Sequence, residues 1–533
     1  MTTQLYIRIC KYLREKIAGT CWEGHVYTVG GCCRDMALGT EIKDVDLAVD
    51  LPNGGIEFAK WLYKQRLTTG MPTMFERYGT AMLRLRAFSH DDIEIVQTRA
   101  EKYTDRNSRN PQTAYGSITD DCMRRDLTIN ALYYNITDDK LLDITGRSMS
   151  DLKHKVIATP LDPDSTYDDD PIRILRTIRF ACRLGWEIPT PVYEAMCRNS
   201  SRLDIIKVER LRGEFEKILL LDDAGRALEL LRQCGALKMI VPTVTHTAHL
   251  TYIPECDDTV WSHTTRAINL LPPDLTLRWA CLLSDCAHPS DNHSRKSRHK
   301  VLGTLAGLKY HQPLLKDVVF LCANHESTAH WGKFAENMEP AQLRRLQYLC
   351  SRVDKMQSLL TLIDAFNKTL PDGYAMPEQV HNIRALDEKM QKDGTAMYTY
   401  HLPFAERRIK KILHIEPGPL VDDTLEYMMS MAFINPKLSR AEFERLVSGY
   451  TPKEPEAGHV LLADELRPSA KQPKQEKSAN SRKRHRQTGP AQRRIKTEDS
   501  IPQTAVTPSD KKATPHRKRH HHHRRRRANK PKE

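Results

Sequence analysis

Apolar residues near the start of the chain recur at helical spacing, with Leu5, Ile9, Tyr12, Leu13 and Ile17 on one face, which predicts a helix over residues 3–18. Val26-Tyr27-Thr28-Val29 reads as the end of a buried strand, and Val45 to Val49 as another. Ile56 to Leu67 returns to helical spacing. Thr80 to Arg86 and Ile93 to Val96 alternate as strands and complete a small mixed sheet. Residues 101–119 are polar and aperiodic and read as a mobile loop. Asp120 to Leu132 reads as an acid-capped helix carrying the pair Arg124-Arg125. Beyond residue 150 the pattern is helical. Asp170 before Pro171 suits a helix cap followed by proline in the first turn, with Ile174, Leu175, Ile178 and Ala181-Cys182 as the buried face. Asp170, Arg173, Arg176 and Arg179 fall at steps of three and form a polar stripe. From Gly225 on, helices follow one another through short turns. Past Thr451, Lys, Arg, Pro, Gln and Ser dominate, a composition that cannot bury a core.

The expected fold class is therefore α+β. A small mixed-sheet head spans 1–150, a helical neck 151–225, a helical body 226–365 and a helical tail 366–450, with a disordered basic run over 451–533.

Candidate chemistry gathers where the first strand turns into a helix. Gly30-Gly31 permits a tight turn whose backbone N–H groups can approach phosphate, and Arg34-Asp35 opens the short helix that ends at Gly39. Asp44 and Asp46 stand two apart on the next strand and so point to one spot. Two carboxylates beside a phosphate-cradling turn suit two-metal phosphoryl transfer, with Mg²⁺ as the expected cofactor on Asp44 and Asp46. Glu94, on a strand expected to lie alongside, is the candidate third carboxylate. In the helical part, Asp170 sits where it can pair with Arg173. Such a pair offers an acceptor and donors in fixed geometry and can read the edge of a base without a template strand.

Composition narrows the setting. A chain of 533 residues holds several domains, and no apolar run approaches the ~20 residues of a membrane span. The N-terminus lacks a secretory pattern, and 13 scattered cysteines without a Cys-x-x-Cys pair point to reduced thiols and a cytoplasmic protein. The net charge of +14 is carried by residues 451–533, where 23 basic residues face 9 acidic ones. That tail, including its run His520 to His523, is expected to hold RNA phosphates in a salt-sensitive way.

The stretch Gly30-Gly31-Cys32-Cys33-Arg34-Asp35 with Asp44-Val45-Asp46 resembles the first motif of the nucleotidyltransferase superfamily, in the branch of bacterial class II CCA-adding enzymes and poly(A) polymerases. Arg124-Arg125-Asp126-Leu127-Thr128-Ile129-Asn130-Ala131 resembles the same family's Arg-Arg-Asp-Phe-Thr-Ile-Asn-Ala signature, with Leu127 in place of Phe. The resemblance implies that Arg125 or its neighbour Arg124 contacts the nucleotide while Asp126 and Asn130 brace the site and the ribose. Asp169-Asp170-Pro171-Ile172-Arg173 resembles the Glu-Asp-x-x-Arg motif that selects CTP and ATP, which implies base reading by Asp170 and Arg173 with help from Arg176 and Arg179. Glu209-Arg210 with Glu214 resembles the family's Glu-Arg-x-x-x-Glu helix, which supports the neck. Trp261 to Thr264 and Leu277 to Cys286 resemble an HD phosphohydrolase domain that keeps His263 and Asp285 but has Ser284 where a histidine belongs. His299 and His325 are candidates for its third histidine, and a degenerate HD-like scaffold without hydrolase activity is expected. Residues 400–449 look like the helical end of the same relatives, where tRNA docks. The implied activity is CCA addition to tRNA from CTP and ATP, with pyrophosphate leaving against Gly31, Arg34 and the metals. The rivals are a poly(A) polymerase, a CC-adding or A-adding enzyme, a non-catalytic RNA-binding protein, and an enzyme with added phosphodiesterase activity.

Overall fold

A computed structural model of the chain describes residues 1–451, apart from 77–78, 89–91, 103–111, 254–257, 287–292, 312, 326–354 and many positions between 372 and 437. The basic run predicted over 451–533 lies outside the described residues, save Thr451.

Helix α1 (Thr3–Ile17) starts at Thr2, whose hydroxyl accepts the Leu5 N–H, and buries Tyr6, Ile9, Cys10, Leu13 and Ile17. Strand β1 (Val26–Val29) leads through Gly30 into α2 (Gly31–Leu38), which ends on Gly39 with φ 68°. Strand β2 (Val45–Val49) and α3 (Gly54–Lys64) follow. Then come β3 (Thr73–Phe75), β4 (Thr80–Arg84) and β5 (Asp92–Gln97). With β8 (Tyr133–Asn135) and β9 (Lys140–Leu142) they make a seven-stranded sheet in the order β3-β4-β5-β2-β1-β8-β9. Pairing is antiparallel except between β2 and β5, which run parallel, so the sheet is mixed as expected. Alternation along β2 sends Val45, Leu47 and Val49 into a core shared with α1 and α3. It leaves Asp46 and Ala48 on the other face.

Two local expectations are corrected. The segment read as a mobile loop begins and ends as a ribbon, β6 (Arg99–Lys102) paired with β7 (Gln112–Tyr115). Its strands are polar, so no apolar alternation announced them; residues 103–111 lie outside the described residues. Second, the helix expected over Asp120 to Leu132 is only α4 (Ile118–Met123). Ser117 and Asp120 form a reciprocal capping box at its start. Arg124 and Arg125 lie in the turn beyond it, ahead of a 3₁₀ turn over Thr128–Asn130. Asp126 explains the stop: its Oδ1 accepts the Leu127 N–H at 2.9 Å and the Asn130 amide at 3.1 Å, local bonds that compete with helix.

Helices then dominate. α5 (Ser148–His154), α6 (Pro163–Asp169), α7 (Ile172–Leu184), α8 (Thr190–Asn199), α9 (Val208–Leu219), α10 (Ala224–Gln233) and α11 (Ala236–Ile240) lead to α12 (Val260–Leu270), α13 (Leu275–Leu283), α14 (His293–Gly307) and α15 (Leu314–Asn324). One large core runs from Tyr167 and α7 through α9, α10, α13 and α15 to a helix at Lys355–Lys368. Arg278 staples it, donating from a buried side chain to the carbonyls of Leu219, Leu221, Leu271 and Pro272. The body adds one small hairpin to its helices, β10 (Thr251–Ile253) with β11 (Asp258–Thr259). A smaller cluster holding Leu127, Ile129, Leu152, Phe180 and Trp186 joins the sheet domain to α7.

Candidate active site

Asp46 sits on β2 in register with Glu94 on β5, and Asp44 immediately precedes the strand. Burial and the neighbouring charges of Glu94 and Asp44, partly offset by Arg125, push the Asp46 carboxyl up to about 6. An acidic group short of positive charge is a fitting host for a divalent cation. Among the described residues, no three His, Cys, Asp or Glu side chains stand close enough to hold an ion by themselves.

The turn beside them has the predicted form. Gly30 has φ 75° and directly precedes α2, a conformation that favours glycine. A Cβ on Gly30 would stand 3.1 Å from Nη1 of Arg125. Of the arginine pair, Arg125 is therefore the one beside the turn and Asp46. Its Nε donates to the Tyr133 hydroxyl at 3.0 Å, Nη1 to the Asn130 carbonyl at 3.3 Å and Nη2 to Asp121 at 3.0 Å. Arg124 faces the ribbon, donating to Asp121, to Glu101 at 3.1 Å and to the Arg99 carbonyl at 3.2 Å.

Arg34, expected beside the leaving phosphates, is buried at 2% exposure and lies against the Phe180 ring. Its Nε donates to Asp35 at 2.8 Å and its Nη1 to Asn130 at 2.5 Å. It therefore begins a chain of polar contacts instead of lining an open cradle. Asn130 passes the chain to Asp126, and Arg176 donates to the other Asp126 oxygen at 2.7 Å. Burial would raise the Asp126 carboxyl, but Arg176 and the Asn130 amide outweigh it and hold it down at about 2. Arg176 then stands 3.7 Å from Glu214, which accepts from Arg179 at 3.0 Å. Residues expected at the turn, the signature and the stripe are thus joined in one network.

The Asp170–Arg173 pair is corrected. Both Asp170 oxygens are taken by Arg210 of α9, at 3.1 and 2.7 Å. Arg173 donates to the carbonyls of Thr166 at 3.3 Å and Arg124 at 2.7 Å. The cap changes too: α7 begins at Ile172, and the Asp170 carbonyl, not its carboxylate, accepts the Arg173 N–H at 3.0 Å. The Asp170 carboxylate is paired with Arg210 of α9, a partner that a reading confined to neighbours along one helix misses. Asp121 also escaped sequence reasoning, although its i+3 and i+4 spacing to Arg124 and Arg125 was visible.

In the body, His263 is buried between the rings of Tyr252 and Phe366, with centroids at 4.1 and 5.3 Å. Its Nδ1 meets the Thr369 hydroxyl at 3.0 Å, its Nε2 has no partner among the described residues, and burial lowers its pKa to about 4. Asp285 lies 3.2 Å from Nε2 of His325, while the Ser284 hydroxyl is spent on the Ala280 carbonyl. The side chain of His299 lies outside the described residues.

Residues 26–158 match the family described as the Poly A polymerase head domain, and 185–247 match a probable RNA and SrmB-binding site of polymerase A. The chain is 30% identical over 330 residues to tRNA nucleotidyltransferase cca1 of Schizosaccharomyces pombe, a match covering 56% of this chain and 64% of that protein. It is 32% identical over 236 residues to the CCA-adding enzyme of Bacillus licheniformis, covering 44% and 55%. These matches span between half and two thirds of the relatives' lengths. The apo form II structure of a CCA-adding enzyme superposes over 83% of this chain and 95% of its own, with a TM-score of 0.53 at 21% identity, a likeness of fold. A Bacillus stearothermophilus CCA-adding enzyme solved in complex with CTP gives a TM-score of 0.51 at 18% identity over 83% and 96%.

Proposed function

We propose that the chain, which is similar to CCA-adding enzymes and poly(A) polymerases, adds CCA to the 3′ end of tRNA from CTP and ATP without a template strand. The observation that carries the reading is the rung Asp46–Glu94 beside the Gly30 turn and Arg125. In this reading the RNA 3′-hydroxyl attacks the α-phosphate in line and pyrophosphate leaves. Mg²⁺ on Asp44 and Asp46, with Glu94 near, would supply charge neutralisation and a more acidic attacking hydroxyl. The backbone N–H of Gly31 and the guanidinium of Arg125 receive the triphosphate, in keeping with the donors that Arg125 has left, while the Gly30 N–H is held by the Leu132 carbonyl at 3.1 Å. Arg34, Asn130 and Asp126 hold the turn against Arg176 and Arg179 of α7. Asp170, oriented by Arg210, accepts from the amino group of cytosine or adenine, and Arg173 donates to the ring edge. Gating on those two bases excludes GTP and UTP, whose edges present a carbonyl where the acceptor stands.

The same division of labour makes 1–150 the catalytic head, 151–225 the selecting neck, 226–365 an HD-like scaffold and 366–450 the tRNA-docking tail. We place the protein in the cytoplasm on its cysteine usage; no helix among the described residues is long and apolar enough to cross a membrane. The deciding experiment offers a tRNA lacking CCA with each nucleotide singly and together. CTP use followed by ATP supports CCA addition. ATP alone turns the reading to an A-adding enzyme or a poly(A) polymerase, and incorporation that survives Asp46→Ala defeats the site. The HD-like body is proposed to be inert, so 2′,3′-cyclic nucleotides with Ni²⁺ or Mg²⁺ should release no phosphate.

A further inference from the structure

Asp121 is fully buried, yet it gathers donors from four residues. Both Nε and Nη2 of Arg124 reach its Oδ1, at 2.9 and 2.5 Å, and the Arg99 N–H approaches the same oxygen at 3.3 Å. Arg125 Nη2 reaches its Oδ2 at 3.0 Å, and the Tyr133 hydroxyl donates to that oxygen as well. The Tyr133 oxygen in turn accepts from Arg125 Nε at 3.0 Å, and the Tyr133 ring lies under the guanidinium, with the Arg125 Cζ 5.1 Å from its centroid. Arg125 is thus held at three of its nitrogens, by Asp121, Tyr133 and the Asn130 carbonyl.

A guanidinium has five N–H donors in one plane. Among the described residues three are used, and one remains on each terminal nitrogen, with Nη1 next to Gly30. A planar fork with two spare donors beside the Gly30 turn is suited to two oxygens of one phosphate. The fork is useful only if it does not swing, and an arginine left to itself has several rotatable bonds to freeze. We propose that Asp121, with Tyr133, is a positioning residue for nucleotide binding: it locks the Arg125 fork over the Gly30 turn so that its two spare N–H groups meet the triphosphate. Because Asp121 is shared, it also ties Arg125 to Arg124, and Arg124 reaches Glu101 on the ribbon and, by its carbonyl, Arg173 on α7. The inference rests on the nucleotidyl-transfer reading given above.

The test uses the full chain, a tRNA lacking CCA as primer, and CTP as the varied nucleotide. Asp121→Asn keeps the shape but turns an acceptor into a donor that faces other donors. It should raise the KM for CTP on the order of tenfold while the KM for the tRNA moves less than twofold. Tyr133→Phe removes one bond and leaves the acid, so it should raise the CTP KM about threefold at an unchanged melting temperature. In the Arg125→Lys background, which has no fork to lock, Tyr133→Phe should add nothing further. If Tyr133→Phe and any folded Asp121→Asn leave the CTP KM unchanged, or raise both KM values together as the melting temperature falls, the positioning role is overturned while the transfer reading stands. Wild-type protein that extends no RNA overturns both.

Discussion

Asp126 shows how much rests on single side chains here. Its carboxylate is the link between Asn130, which holds Arg34, and Arg176 of α7. Its carboxyl is held at about 2, below the ordinary aspartate value of about 3.9. The group therefore takes up a proton less readily folded than unfolded. Its contribution to stability is complete above about pH 4 and is lost as the pH falls toward 2. Asp126→Asn should cost about 2 kcal/mol at neutral pH, a figure discounted because Arg176 is one-third exposed, and the gap to wild type should close in acid unfolding curves below pH 4. Arg210 carries a second expectation at this scale. Arg210→Ala frees Asp170 to turn, and should raise the KM for CTP and cut discrimination against UTP about tenfold, read in single-nucleotide extension. The strand under Asp46 and its neighbour under Glu94 were legible from local apolar alternation, although Asp44, expected on the same strand, lies just before it. The partners of Asp170 and Asp121 were not equally so: Arg210 lies forty residues on, and a buried acid among arginines looks, in sequence, like any surface charge.

Elements were legible wherever apolar residues kept time. β2 spans Val45–Val49 as read, and α1 and α3 depart from expectation by a few residues at their ends. The misses share a cause, which is that polar bonds and not apolar burial set the boundary. The ribbon β6–β7 closes over Arg99 and Glu101, and α4 stops where Asp126 bonds its own turn. Glycine marks the close approach of elements at several positions, Gly225 and Gly55 among them. A Cβ on Gly225 of α10 would lie 2.2 Å from the Thr265 carbonyl of α12, and one on Gly55 of α3 would lie 2.3 Å from the Gly79 carbonyl. Backbone cannot yield as a flexible side chain would. Gly225→Ala should force α10 and α12 apart, at a cost of about 1–3 kcal/mol, and lower the melting temperature by a few degrees without changing which nucleotide is used.

At the scale of the whole molecule, charge and chemistry are segregated. The catalytic reading belongs to residues that are collectively neutral, and the excess of +14 belongs to the terminal run. Removing residues 452–533 should leave the extension rate at saturating RNA unchanged, raise the KM for RNA, and flatten the dependence of log affinity on log salt. A filter-binding titration across several salt concentrations reads that slope. The parallel join of β2 to β5, alone among antiparallel neighbours in the seven-stranded sheet, has a consequence for how the protein comes into being. Asp46 and Glu94 are side by side in space yet forty-eight positions apart along the chain, so a nascent polypeptide shorter than about a hundred residues can complete its first hairpin, β1 with β2, and still possess half a reaction centre. On the proposed reading, competence waits for that distant seam to close and bring Glu94 beside Asp46.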